Sequence, residues 1–456
     1  MKNRVIESSG HRVIVLATLL SLLLSAPLAS GQKPKRSAAA ASPEQAIVLR
    51  GGKLLTITHG VIEDGVLVME NGKITAVGKS GTVAIPKGAR VIEVQGMTIY
   101  PGLIDSETNL GLTEISAVQS SNDLIEMSDE IMPHMHVYDA FHAESSLIPV
   151  TRVNGVTNAI VAPESQDTLP GQDSFIQLAG RDRDQMLLLR DLALPMNFTG
   201  AQRRNRSFES AKYPFTRMGM ATQLRQSFFD AQEYGHKLAD YQRKLAEWQK
   251  EKKGAEPMEP KRDLKLEALL PYLAGSKPVV LSAEESNDLQ TAVDLAHEFN
   301  LRIVLNHLTH AQSILDYIAA LKVPVIVGPI YEFPHDDQRY DAVYRLPAEL
   351  AQRGVKIAFA SYDSHNARNL PYAAGYAVAW GLPYDEALKA LTLNPAEIWG
   401  VSDQLGSLDV GKMANVVVAN GDPLDVRTDV KMVFIQGRET SMRTRQTDLR
   451  DQYMGK

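Results

Sequence analysis

The chain has 456 residues, 44% of them apolar and 22% charged, which is enough for a large core and a smaller second unit. A formal charge of −6 excludes bulk electrostatic attraction to nucleic acid or to an anionic membrane. The absence of cysteine excludes disulfides, thiolate metal sites and thiol nucleophiles.

Residues 1–31 read as a signal peptide. Lys2, Arg4 and Arg12 form a basic start, Val13–Leu24 an apolar core and Ala29–Gly31 a small-residue cleavage site. The expected location is periplasmic or secreted, with no membrane contact after cleavage; an uncleaved anchor is the alternative. Residues 32–45 form a Lys/Ala/Ser/Pro linker. Short β-type runs follow at Ile47–Arg50, Lys53–Thr58, Gly65–Glu70, Lys73–Gly78 and Arg90–Val94. Between them lie Gly51–Gly52, Asp64–Gly65 and Asn71–Gly72, which supply the positive φ of tight turns. The same style returns near the end, in Ala414–Ala419 and Val430–Gln436. We expect one split β-sandwich domain built from both ends, residues 46–96 and 406–440, with 441–456 as a polar tail.

Residues 97–405 alternate strands and helices. Expected strands are Thr98–Asp105, Val156–Val161, Phe175–Leu178, Met186–Leu189, Pro278–Ala283, Arg302–His307, Val323–Pro329 and Lys356–Ser361. Helices are expected at Ala140–Arg152, Thr222–Glu251, Asn287–Phe299, Ala311–Leu321, Asp341–Arg353 and Tyr384–Leu391. The fold class is α/β: a (β/α)8 TIM-like barrel, with an open doubly wound sheet as the alternative. The charged stretch Ala231–Pro260 reads as a protruding helix.

In such a barrel the chemistry sits at the C-terminal ends of the strands. Glu107 and Asn109 follow the first strand two residues apart, hence on one side if the strand continues. Ser282 ends the fifth strand and His307 the sixth, with His310 just beyond. Asp363 follows the eighth, with Tyr362 before it and His365 after it. His134 and His136 lie two apart in the loop after the first strand, as surface residues or replacement ligands. No Gly-x-Ser-x-Gly elbow occurs.

Several stretches carry a resemblance: PGLIDSETNLGLTEI (101–115), YPFTRMGM (213–220), RNLPYAAGYAVAWGLPYDEALKALTLNPAEIWGV (368–401) and GSLDVGKMANVVVANGDPLDV (406–426). The chain resembles the amidohydrolase superfamily, and within it the imidazolonepropionase type. The resemblance implies a divalent metal, a small-molecule substrate and hydrolysis of a non-peptide C–N bond. Carried over position by position, it makes Glu107, Asn109, His307 and Asp363 metal ligands. Asp363 is also the general base, and His307 is a ligand or an electrophile. The sequence departs from the family where Glu107 and Asn109 replace a His-x-His pair, Ser282 replaces a histidine and Asn415 replaces an aspartate. Oxygen donors of this kind suit Mg²⁺, Mn²⁺ or Ca²⁺ better than Zn²⁺. Two functions follow: a metal-dependent hydrolase of C–N bonds, or a non-catalytic relative that binds a ligand or pairs with an active paralogue. A homo-oligomer is the other expected assembly.

Overall fold

Positive-φ residues set the first hairpins. β1 (Ile47–Leu55) pairs antiparallel with β2 (Val61–Glu70), which turns through Asn71 and Gly72, both at positive φ, into β3 (Lys73–Lys79). Asp64 and Gly65, expected as a turn between two strands, instead form an irregularity inside β2. Asp64 is left-handed there, and a side chain on Gly65 would run into Leu54. β4 (Arg90–Glu93) and β5 (Thr98–Pro101) run parallel to β1. The structure, a computed structural model, describes residues 45–126, 128–198, 213–308, 310–333 and 338–455. The expected signal peptide and all but the last residue of the linker lie outside the described residues.

Gly102 passes the chain from β5 into β6 (Leu103–Thr108), which is buried throughout. β6 pairs parallel with β7 (Val156–Val161). β8 (Ser174–Gln177) then runs antiparallel to β7, and β9 (Leu187–Leu189) antiparallel to β8. The expected strands at Phe175–Leu178 and Met186–Leu189 therefore exist but turn back rather than cross over. The chain between them is too short for the helical crossover a parallel pair requires. A strand not expected, β10 (Leu194–Asn197), starts a parallel sheet with β11 (Val279–Ser282), β12 (Ile303–Asn306), β13 (Val325–Val327) and β14 (Ile357–Phe359). These runs are buried on both faces, as parallel strands between layers should be. Helices Ser286–Glu298, Leu315–Leu321 and Ala342–Gln352 form the crossovers. The helix expected over Ala140–Arg152 is broken into Val137–Ala140 and Leu147–Arg152.

The two inner sheets meet at both edges. On one side Tyr362 N donates to Glu107 O at 3.0 Å. On the other, Asp173 N donates to Ala193 O at 3.0 Å and Asn197 N to Thr168 O at 3.0 Å. The ends of β6, β10, β11, β12 and β14 thus surround one space.

The C-terminal strands β15 (Val416–Ala419), β16 (Val430–Ile435) and β17 (Arg438–Glu439) complete the first sheet, in the order β17-β16-β15-β5-β1-β2-β3 with β4 beside β1. One eight-stranded sheet is therefore made from both ends of the chain, around a core that includes Leu49, Leu67, Ile99, Val416 and Phe434. Asn415 ties it to the inner strands. Its carbonyl accepts from Gly102 N at 2.9 Å, its Oδ1 accepts from Gln436 N at 2.8 Å, and its Nδ2 donates to Asn158 Oδ1 at 2.9 Å.

The 35-residue helix Arg217–Glu251 is capped by Thr216 and buries Met220, Leu224, Phe228 and Tyr234 along its first half. Its second half carries exposed pairs such as Lys237 with Glu233 and Lys244 with Asp240. The tail forms a helix, Arg445–Tyr453, with a capping box at Thr444. No helix among the described residues is long and apolar enough to cross a membrane.

Gly102 gives a direct test of the junction, because a Cβ there would overlap the side chain of buried Thr157. Gly102→Ala should destabilise the fold by about 1–3 kcal/mol through overpacking. Adding Thr157→Ala should recover much of that loss in thermal unfolding.

Candidate functional site

The alternation along β6 turns Asp105 and Glu107 to the same side, and both are buried. Asp105 is fixed by three donors: Ser361 N at 3.0 Å, Ser361 Oγ at 2.5 Å and Glu107 N at 3.3 Å. Burial nevertheless pushes its carboxyl up to about 7. Asp173 lies close enough to feel the Glu107 charge. Burial first, and then that charge, drive its carboxyl well above the usual range.

Glu107 reaches across to β12, where its Oε2 accepts from Asn306 Nδ2 at 2.6 Å. Asn306 Nδ2 also lies 3.4 Å from Ser282 Oγ, and Tyr362 OH donates to Asn306 Oδ1. Burial holds the Tyr362 phenol well above its ordinary value, so it remains a donor. The next residue, His307, places Nε2 3.7 Å from Glu107 Oε1 and 3.4 Å from Ser165 Oγ, with its ring 4.2 Å from that of Tyr362. His307 and Tyr362 both have left-handed backbones, φ 52° and 54°. Bulky side chains in that region carry strain, and such strain gathers at functional sites.

Glu107, His307 and Tyr362 line a cavity of about 190 Å³, with Asn109, Glu164, Ser165, Glu284 and Glu332 completing its polar wall. The wall holds carboxylates and one imidazole, and no lysine or arginine among the described residues. A larger groove of about 790 Å³, lined by His310, Arg345 and Trp380, contains none of the strand-end residues and is set aside as the site.

Of the residues marked in the sequence, Glu107, Asn109 and His307 line the cavity, and Ser282 lies beneath it within reach of Asn306. The Asn109 amide donates to Ala162 O at 3.0 Å. Asp363 does not line the cavity. Its carboxylate caps the turn that follows, accepting from Asn366 N at 2.9 Å and from His365 N. Tyr362 takes the inward place one residue earlier, where the chain has left β14 and passes through a left-handed backbone. His365 is exposed beside Asp363, His310 faces Glu285 at 3.6 Å, and His136 pairs with Asp191 at 2.6 Å. His134 also lies off the cavity, with burial lowering its affinity for a proton. Sequence reasoning missed Asn306 and Asn197. Asn306 is inward because it ends β12 in register with Ser282, and Asn197 ends a strand whose shortness hid it.

A metal site would need several of these donors to converge. Among the described residues no group of three His, Asp or Glu side chains is placed to hold a metal ion. The chemistry agrees. Glu107 already accepts an amide proton, Asp363 is a cap, and Asn197, Ser282 and Asn306 are neutral. These strand-end donors do not fit the expected divalent ion.

Asp105 sets a pH test. Its folded-state value of about 7 lies above the unfolded value of about 4, so the folded chain keeps a proton the unfolded chain releases. From this group, stability falls as pH rises between about 4 and 7 and is level above that. Asp105→Asn removes the titration. In urea unfolding at pH 5 and pH 8, the variant should gain on wild type at the higher pH, by on the order of 1.4 kcal/mol per pKa unit crossed.

Comparison with known proteins finds relatives in sequence and in fold. The model of the Amidohydrolase family matches residues 293–440. The amidohydrolase tasK of Hapsidospora irregularis is 26% identical over 392 residues, covering 82% of this chain and 39% of tasK, so the chain spans about two fifths of that relative's length. An N-acetylglucosamine-6-phosphate deacetylase of Caenorhabditis elegans is 37% identical over 104 residues, covering 22% of this chain and 23% of the deacetylase. Among solved structures, an amidohydrolase from Thermotoga maritima MSB8 superposes with a TM-score of 0.77 at 29% identity, over 87% of this chain and 100% of that one. The family match over residues 293–440 and this likeness of fold relate the chain to the amidohydrolase superfamily.

Proposed function

We propose that the chain hydrolyses a C–N bond of a small amide bound in the cavity at the strand ends. The observation that carries this reading is the convergence of Glu107, His307 and Tyr362 in one partly enclosed space, with His307 and Tyr362 held in left-handed backbones. The gap of 3.7 Å between Glu107 Oε1 and His307 Nε2 is long for a hydrogen bond and suits a shared water. As that water's oxygen adds to the amide carbon, His307 takes its proton and holds it beside the Glu107 carboxylate. The proton then passes to the leaving nitrogen as the C–N bond breaks. Tyr362 and Asn306 keep both groups in register. The family resemblance brings a divalent ion to this position, but the donors present do not compose a site for one, and no step depends on it.

The wall also points to a substrate class. Glu107, Glu164, Glu284 and Glu332 face a space with no lysine or arginine among the described lining residues. A ligand carrying an ammonium or guanidinium group is favoured there. In the same reading the inner sheets and their helices form a barrel of the (β/α)8 type over residues 97–405. The sheet from both ends forms a second domain over 46–96 and 406–440. Residues 1–31 direct export to the periplasm or outside, and the chain works as a homo-oligomer or beside a paralogue.

A panel of small amides, each offered in cationic, neutral and anionic forms, tests the reading. Glu107→Gln and His307→Asn should each lower kcat/KM by about 10²–10⁴-fold. Asparagine tolerates the left-handed backbone, so the second change should leave the melting temperature near wild type. Cationic amides should be turned over best, with the preference weakening at high salt. Thermal stabilisation by such compounds with no turnover would favour the ligand-binding alternative instead.

A further inference from the structure

The polar layer beneath the cavity can be traced strand by strand. Asn197, Ser282 and Asn306 are neighbours in register at the ends of β10, β11 and β12, and all three are buried. Every one is neutral. Across from them stands Glu107, with the buried carboxyls of Asp105 and Asp173 nearby, and its Oε2 accepts from the Asn306 N–H.

The orientation of the Asn306 amide is fixed from both ends. A carboxylate only accepts, so the group facing Glu107 Oε2 at 2.6 Å must be the NH₂. The amide oxygen then faces Tyr362, whose phenol donates to it. The backbone adds to this, since His307 N donates to the same oxygen at 3.0 Å. One side chain therefore joins β6, β12 and the chain after β14 at the level where the resemblance would put an ion. Asp363, expected to share that ion, is spent on capping the following turn.

We propose that this centre is metal-independent, and that the Asn306 side-chain amide, clamped by Tyr362, occupies the place of the ion and holds the Glu107 carboxylate aimed at His307. Asn306 and Tyr362 are positioning residues in this arrangement. The inference concerns the same cavity as the proposed function but does not rest on turnover, because metal content can be read on a protein that hydrolyses nothing.

The experiment uses the full chain, expressed with Mn²⁺ and Zn²⁺ in the medium and dialysed against metal-free buffer. Elemental analysis should find far less than one metal per chain. EDTA should leave the melting temperature unchanged, and added Mn²⁺ or Zn²⁺ should not raise it. Asn306→Asp replaces the donor with a second carboxylate beside Glu107. Its melting temperature should fall, and Mn²⁺ or Zn²⁺ should restore part of the loss by bridging the two carboxylates, an effect absent in wild type. Stoichiometric metal in wild type that EDTA removes, with a drop in melting temperature, overturns the proposal. So does an Asn306→Asp variant that melts like wild type with and without metal. If that variant does not fold, the wild-type metal content and EDTA response decide alone.

Discussion

The fold rests on the seam around Asn415 and Gly102. The two chain ends pair into one sheet, and several of the contacts that couple it to the inner strands run through these residues. Asn415 uses its carbonyl for Gly102, its amide oxygen for Gln436 and its amide nitrogen for Asn158. Each partner is buried or half-buried, where an unmade hydrogen bond costs more than a made one contributes. Asn158 Oδ1 also accepts from Thr157 Oγ1 at 2.8 Å, so the group facing it from Asn415 has to be a donor. An aspartate at position 415 would set a carboxylate against that oxygen.

Much of this architecture was legible in the chain. Asn71–Gly72 and the alternating runs near both ends mark the hairpins of the outer sheet as antiparallel, because turn chemistry and strand period are local properties; they do not reveal that β4 and β5 run parallel to β1. The apolar runs ending at Ser282 and Asn306 gave the parallel strands, because burial on both faces leaves a continuous signature. What local pattern could not supply was direction. Nothing in Phe175–Leu178 says that it runs against β7. That depends on the short connections on either side of it, and it left β10 hidden inside a stretch read as loop.

The site was legible in part, for a related reason. Glu107, Asn109 and His307 were found because they stand at ends of strands whose limits were clear. Between Tyr362 and Asp363 the sequence leaves the inward place open, since the chain after Phe359 leaves the strand and facing can no longer be counted in twos. Asn306 was overlooked because a histidine beside it drew attention as the better ligand. The structure gives the two adjacent residues different tasks: Asn306 faces inward by strand geometry, and His307 reaches the same cavity only by adopting a left-handed backbone.

That left-handed pair has a consequence for how the protein can change over generations. At positions 307 and 362 the main chain screens substitutions before any chemistry does, because β-branched residues are strongly disfavoured there while glycine, asparagine and aspartate fit. Drift at the heart of the cavity is thereby channelled toward a handful of small polar alternatives. Replacing the imidazole or the phenol with one of these smaller residues would relax the backbone and widen the same recess.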